Sequence, residues 1–467
     1  MVSFSNADLI IIILFFVSVI SIGFIFSRSS KDDAEDYLLS GRKVGLLLFI
    51  LTNVATWYGG ILGVGEFVYR YGIVSWFTQG FPYYIFAFLF AIFFAKKIRE
   101  ASLFTIPDKL SLVYGKKVGL TSAIIVFALV SPAPYLLMTG SLISLIFNTN
   151  ILVGLIIGLI LSAVYLFKGG FRSDIYTDVV QFFIMFIGFI LIIIYSYTSL
   201  GGFSFLQNNL PSENLNLTGN ASPTFILVWF LIALWTFADP GFHQRCYAAK
   251  SGATAVKGII ISIFFWFLFD SLTTITGLYA RAVLPNLSNP SLSYPLLAEA
   301  ILPSGIKGIF YAALFATIMS TLNSFLFLSA TTISRDFLFK LSKKPDERRL
   351  KTFAIYGLII SGIVSVLLAY FIPSVIEIWY TIGSICIPGI ILPVVSSYYT
   401  KLKIDDKLIL LEMILSVFAG LIWFFVRDDF INSFLAEIEP MLVGLTFSII
   451  IHATGLLLKS IALKKRN

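Results

Sequence analysis

Four hydroxyl side chains, Thr317, Ser320, Thr321 and Ser324, recur at i, i+3, i+4 and i+7 in an otherwise apolar stretch. That spacing puts them on one face of a helix. Ala313 and Ala316 lie beside them, so a second backbone can come close. Neutral hydroxyls, joined by carbonyls released from a broken helix, offer a hard cation such as sodium several oxygens without burying several carboxylates. The same residue types also line ordinary helix interfaces in membranes, so the stripe needs partners before it is a site. Carboxylates are the second chemistry. Asp178 stands in Thr177-Asp178-Val179-Val180-Gln181, Asp239 precedes Pro240-Gly241, and Asp270 and Glu377 lie in apolar segments without an assignable role. An ionisable group at membrane depth is costly and marks function, although Asp178 also suits a helix N-cap. Two histidines, His243 and His452, and two separated cysteines, Cys246 and Cys386, give no metal-ligand spacing, no disulfide framework and no catalytic constellation. An enzyme is not expected.

The chain that must position these groups is built for lipid. Its 467 residues are 58% hydrophobic and 12% charged, with mean hydropathy +0.93, where a soluble domain is about half apolar and a quarter charged. A leading apolar segment at 8–27 lacks the basic start and cleavage site of a signal peptide and is read as a retained helix. Twelve more follow, numbered as spans 1 to 12: 45–68, 74–95, 118–147, 151–167, 176–198, 223–244, 254–284, 305–338, 352–371, 374–398, 407–426 and 440–458. The fold class is therefore an all-α polytopic membrane protein of about thirteen transmembrane helices, one transmembrane domain over 1–467.

Basic residues orient it. Of 33 lysines and arginines, 29 fall on alternate connections, at 28–43, 96–117, 168–172, 245–257, 335–351, 401–407 and 459–466. The opposite side holds only Arg70, Arg281, Lys307 and Arg427, and the long 201–223 connection there has no Lys or Arg. The positive-inside rule places the N-terminus outside and the C-terminus in the cytoplasm, in a plasma or inner cell membrane. The net charge of +8 is thus an orientation signal rather than a nucleic-acid patch. The expected partners are the bilayer, sodium and a small organic solute, with no nucleic acid and no cofactor beyond sodium as coupling ion.

Two spans carry breaks. Span 1 contains Asn53-Val54-Ala55-Thr56-Trp57-Tyr58-Gly59-Gly60, and span 6 contains Trp235-Thr236-Phe237-Ala238-Asp239-Pro240-Gly241. Proline removes a helical donor and pushes the preceding residue out of the helical region. Each break alone also fits a simple kink or a glycine packing face. Together they occupy the first position of each half of a five-plus-five repeat, where inverted-repeat transporters bind solute and ion. The halves are 45–198 and 223–398, with trailing helices at 407–458. Candidate solute contacts are Trp57, Tyr58, Gly60, Gln79, Trp235, Asp239 and Tyr380.

At this point the sequence resembles the sodium:solute symporter family. The resemblance runs from Asp36-Tyr37-Leu38-Leu39-Ser40-Gly41-Arg42 to span 10. Its motifs are Thr105-Ile106-Pro107-Asp108 with Tyr114-Gly115, Gly169-Gly170-Phe171-Arg172-Ser173 with Thr177-Asp178 and Gln181, Gln244-Arg245 with Ala248-Ala249-Lys250, and Ser320-Thr321 with Asp336. The resemblance implies a leucine-transporter-type five-plus-five inverted repeat with one leading and two trailing helices. It implies sodium held by the carbonyls of Asn53, Thr56 and Thr317 and the hydroxyls of Ser320 and Thr321. Some members carry a second sodium, which here implies Asp178, Ser320, Asn323 and Ser324. Gly60 stands where sugar carriers have a polar glutamine, which points to a small charged or zwitterionic solute. The function implied is sodium-coupled import of a small organic solute by alternating access. The alternatives are proton coupling through Asp178 or Asp239 on the same fold, and a transporter-like membrane sensor.

Overall fold

In lipid no water is at hand for backbone amides, so an apolar chain closes its hydrogen bonds within helices. The computed structural model describes residues 2–28, 33–342, 349–430, 435 and 438–464. Among them every extended element is helical, with one isolated bridge between Val44 and Ala249. Lys31, Lys343, Lys344, Arg348, Lys465 and Arg466 of the basic connections lie outside the described residues.

Among the described residues, ten helices are long and apolar enough to cross a membrane: the leading helix Asn6–Ser27, then span 2 (Trp76–Ala101), span 3 (Lys116–Phe147), span 5 (Leu166–Leu200), span 6 (Pro223–Ala248), span 7 (Gly252–Val283), span 8 (Ile306–Phe339), span 9 (Leu350–Phe371), span 11 (Asp406–Val426) and span 12 (Pro440–Lys464). A bent pair, Glu377–Gly389 and Ile391–Tyr398, makes span 10, with 41° between its parts. Span 1 is two short helices, Leu46–Ala55 and Ile61–Tyr71, and span 4 is Ile151–Ala163. The thirteen expected segments are all present as helix.

Several boundaries differ from the expectation. Residues 168–175, expected as a cytoplasmic connection, belong to span 5. The helix runs from Leu166 and kinks at Gly170, where φ is +53° and a Cβ would fall 2.4 Å from the Tyr37 carbonyl oxygen. Only glycine takes that conformation against that backbone without strain. Asp178 consequently lies inside the helix and not at its N-cap. The 201–223 connection and the one after span 7 hold short helices, Phe203–Asn209 and Ser293–Ile301.

Span 8 is the most enclosed of the ten long helices and packs on spans 5 and 9 and on the leading helix. The leading helix is fixed to it by Asp8, whose Oδ1 accepts the Gly305 and Gly308 N–H groups, both at 2.8 Å, at the start of span 8. Carboxylates suit that end of a helix, where unpaired N–H groups collect. Spans 11 and 12 pack on each other and on span 10. Buried Glu412 joins them, accepting from the Ser448 hydroxyl at 2.8 Å and facing His452 Nδ1 at 2.9 Å.

Candidate functional site

The first half of span 1 ends where its hydrogen bonding fails. Trp57 N–H donates to the Val54 carbonyl at 3.2 Å, one residue short of the helical partner Asn53. The carbonyls beyond it are met by span 8. Ser320 Oγ donates to the Ala55 carbonyl at 2.7 Å and to the Thr317 carbonyl at 3.0 Å, and Thr321 Oγ1 donates to the Thr56 carbonyl at 2.9 Å. Thr317 turns its own hydroxyl back to Ala313 at 2.6 Å, which leaves its carbonyl as its contribution. Gly59 lets the backbone come this close, since a Cβ there would lie 2.2 Å from Thr321 Cβ. The stripe read from the sequence therefore faces the broken end of span 1, and Ser320, Thr321 and Asn53 are all nearly inaccessible.

Span 6 breaks as its proline demands. A 3-10 turn, Ala233–Ala238, leads into Asp239 at φ −69°, ψ 115°, and the helix restarts at Pro240. Asp239 Oδ1 caps the restarted helix by accepting Phe242 N–H at 3.0 Å. His243 Nε2 donates to the freed Phe237 carbonyl at 3.0 Å.

Between the two breaks lies a cavity of about 320 Å³. All seven candidate solute contacts, Trp57, Tyr58, Gly60, Gln79, Trp235, Asp239 and Tyr380, line it. Thr56 and Thr321 line it too, so cavity and ion-site candidate share a wall. The lining extends along the second half of span 1 to Phe67 and on to Trp76 and Trp229. That end of the bundle adjoins the 201–222 connection, whose Asn214 carbonyl accepts Ile73 N–H at 2.9 Å.

Two wall residues escaped the sequence reading of the solute site. Trp379 of span 10 lies so close to the first turn of the second half of span 1 that a Cβ on Gly60 would fall 2.1 Å from its ring. Asp270 of span 7 lines the cavity and accepts the Tyr84 hydroxyl, which itself accepts Trp76 Nε1–H at 3.2 Å. Glu377, by contrast, is exposed beside the Ser374 cap of span 10.

The four residues of the second-sodium set hydrogen-bond in different directions. Asp178 accepts the Thr52 hydroxyl, Ser320 donates to span 1, Asn323 donates to the Tyr165 hydroxyl, and Ser324 donates to Asp174 Oδ2 at 2.5 Å. Asp174 was hidden in the stretch expected as a connection. Arg245 of span 6 completes the cluster, donating to Ser324 Oγ at 3.0 Å and Thr52 Oγ1 at 3.3 Å and lying 3.9 Å from Asp178. The cluster ties spans 1, 5, 6 and 8 together. Asp174 Oδ1, Asp178 Oδ1 and Asn323 Oδ1, and both polar atoms of the Gln181 side chain on span 5, are buried without a hydrogen-bond partner among the described residues.

Toward the basic side the bundle is tied shut. Arg335 Nε binds Asp108 Oδ2 at 2.7 Å, Lys340 lies 3.0 Å from Asp108 and 3.3 Å from Asp336, and Thr105 Oγ1 donates to Asp336 at 2.8 Å. Burial pushes the Asp108 carboxyl up, and the Arg335 and Lys340 cations outweigh it, leaving Asp108 below the ordinary carboxylate range. Arg42 adds Nη donations to the Ser102, Leu103 and Tyr247 carbonyls. Tyr247 and Tyr398 hydroxyls meet at 3.0 Å.

Known proteins share this architecture. The sequence pattern of the Sodium:solute symporter family matches residues 37–403. The High-affinity choline transporter 1 of Drosophila melanogaster is 25% identical over 399 residues, covering 80% of this chain and 64% of that protein. The Sodium/pantothenate symporter of Escherichia coli (strain K12) is 27% identical over 389 residues, 79% of each chain. Among solved structures, a Na+-coupled sialic acid symporter in a substrate-bound outward-open state superposes with TM-score 0.82 at 18% identity, over 97% of this chain and 98% of that one. The nucleobase-cation-symport-1 transporter Mhp1, in a closed conformation, superposes with TM-score 0.56 at 13% identity, over 90% and 93%. The fold is the leucine-transporter type, with one leading and two trailing helices.

Proposed function

The chain belongs to the sodium:solute symporter family, and on that premise we propose that it is a sodium-coupled symporter importing a small organic solute by alternating access. The observation that carries the reading is the meeting of Ser320 and Thr321 with the carbonyls of Ala55 and Thr56, at the floor of the cavity. Sodium there would draw on the carbonyls of Asn53, Thr56 and Thr317 and on the two hydroxyls, and the Ala55 carbonyl joins that set. Carbonyls at a helix break lack their helical N–H partners and are the oxygen type a hard cation takes. A second sodium drawing on Asp178, Ser320, Asn323 and Ser324 fits less simply. The unpartnered Asp174 and Asp178 oxygens favour placing such an ion nearer span 5.

The division into repeats at 45–198 and 223–398, with trailing helices at 407–458, is supported by the paired breaks. The basic connections support a cytoplasmic position for the end tied by Asp108 and Arg335 and an outward cavity mouth, in a plasma or inner membrane. Sodium binding would draw the two halves of span 1 onto span 8 and favour solute binding beside it. Opening of the Asp108–Arg335–Lys340 ties would release both inward. A sodium ion entering down a potential gains about 2.3 kcal/mol per 100 mV.

The test is uptake into proteoliposomes by the double variant Ser320→Ala, Thr321→Ala. Sodium-dependent uptake is expected to vanish while the protein remains folded. Full sodium dependence in that variant would sink the assignment.

A further inference from the structure

We propose that the solute is a small organic cation, a quaternary or protonated amine, bound by Asp239 and Asp270 against aromatic faces. The inference rests on the reading of the cavity as the solute site, and the charge inventory of its wall carries it. Asp239 and Asp270 both line the cavity, and no Lys, Arg or His does among the described residues. Their donors are neutral: Phe242 N–H on Asp239 and the Tyr84 hydroxyl on Asp270. Neither forms a salt bridge among the described residues, and Arg245, further along the half-helix that Asp239 caps, is engaged with Gly241, Thr52, Ser324 and Asp178. Two carboxylates in one cavity with no cationic lining residue among those described favour a cation, Asp270 more than Asp239, whose Oδ1 lies by the Gly241 turn near Arg245 Nη1.

The rest of the wall agrees. Trp57, Trp235, Trp379 and Tyr83 line the same space, and ring faces attract organic cations. The volume of about 320 Å³ is at the small end of ligand pockets.

An anion or a carboxylate-bearing zwitterion would need a receptor, and the helix N-termini at the breaks are the natural ones. Both are taken. The restarted half of span 6 is capped by Asp239 itself. The first turn of the second half of span 1 carries the Trp379 indole, which would meet a Cβ on Gly60 at 2.1 Å and one on Gly63 at 3.0 Å. A solute carboxylate would therefore meet two like charges and, among the described residues, no cationic lining side chain, a repulsive arrangement that selects against it.

The experiment is thermal unfolding of the purified full chain in detergent, in sodium or in potassium, with five probes. They are tetramethylammonium, choline, the neutral alcohol in which carbon replaces the choline nitrogen, glycine betaine and acetate. The cations are expected to raise the midpoint in sodium, beyond the shift sodium gives alone, at concentrations at least tenfold below those the other three require. Asp270→Asn and Asp239→Asn should each raise the half-saturating cation concentration at least tenfold while sodium's own shift persists. Asparagine still caps a helix, so Asp239→Asn keeps the test available if Asp270→Asn does not fold. The proposal is overturned if the neutral alcohol, betaine or acetate stabilises as well as the cations. It is also overturned if neither cation binds a protein that still responds to sodium, or if both variants bind cations normally. Loss of every sodium response would instead refute the symport reading.

Discussion

Replacing Gly59 by alanine separates the ion site from the solute site. The new Cβ would lie 2.2 Å from Thr321 Cβ, 2.4 Å from its Oγ1 and 2.7 Å from its Cγ2. Ordinary carbon contacts are about 3.5–4 Å, so the break in span 1 and span 8 must part by roughly 1.3 Å or more. The Thr321 hydroxyl now sits 2.9 Å from the Thr56 carbonyl, and a shift of that size takes the pair beyond hydrogen-bond reach. Overpacking of this kind costs about 1–3 kcal/mol. Placed on sodium affinity, that is roughly a five- to 150-fold rise in half-saturating sodium. Gly60→Ala is the matched control. Its Cβ would meet the Trp379 ring at 2.1 Å and not span 8, so it should weaken solute binding far more than sodium binding. The assay is a sodium titration of thermal stability, followed by uptake as a function of sodium and of solute. A Gly59→Ala protein with unchanged half-saturating sodium would refute the placement of the ion between the break and span 8.

Single variants divide the stripe further. Ser320→Ala and Thr321→Ala should each lose about 1 kcal/mol of stability without sodium, the net worth of a buried hydrogen bond, with a larger loss in its presence. Equal losses in the two conditions would argue against ion ligation. Trp379→Ala should reduce solute affinity and leave the sodium-induced thermal shift in place, a comparison read from the same melts. Asp108→Asn should loosen the closed side, and alkylation of buried Cys246 in a Cys386→Ser background should speed up. An unchanged rate would show that the ties are ornamental to closure. Because Asp108 titrates below its ordinary value of 3.8, its contribution is present above that pH and is lost only as pH falls through the lower folded value. The alkylation rate should therefore be flat above about pH 4 as far as this group is concerned.

Much of this architecture was legible because it is written in local chemistry. Hydropathy located thirteen segments, and Gly59-Gly60 and Asp239-Pro240-Gly241 marked breaks that the backbone takes for steric reasons visible in the sequence. The hydroxyl stripe was legible from helical spacing, whereas the carbonyls of Asn53 and Thr56 were implied only by the family resemblance, and the hydroxyls meet those of Ala55 and Thr56. Three features were not legible. Asp270 lies in a long apolar helix, and spacing alone does not set the rotation of that helix against its neighbours. Asp174 sits between the charges of Lys168 and Arg172 and the start of a clear apolar run. Charge there suggested a connection, while the helix continues through the left-handed turn at Gly170. Trp379 lies in the part of span 10 before its bend at Ile387-Pro388-Gly389, and a Pro-Gly bend does not by itself say which ring meets span 1.

The shared wall between ion and solute supplies a physical route to coupling. Thr56 places its carbonyl against Thr321 on the ion side, and the same two residues line the cavity. Sodium held by the Thr56 carbonyl would fix the break in span 1, and with it Trp57, Tyr58 and Gly60. A solute resting on those residues would fix the same break from the other side. Each ligand then meets a wall the other has already ordered, so each lowers the ordering cost of the other. The effect is reciprocal by linkage, sodium tightening solute by the factor that solute tightens sodium. A cationic solute adds an opposing term, since two positive charges come to lie on either side of one backbone strand. Asp239 and Asp270 lie on the solute side of that wall, where their charge offsets the repulsion. Neutralising either one should therefore weaken the cation twice over, through its own lost contact and through a smaller benefit from bound sodium, and the second loss is visible only when sodium is present.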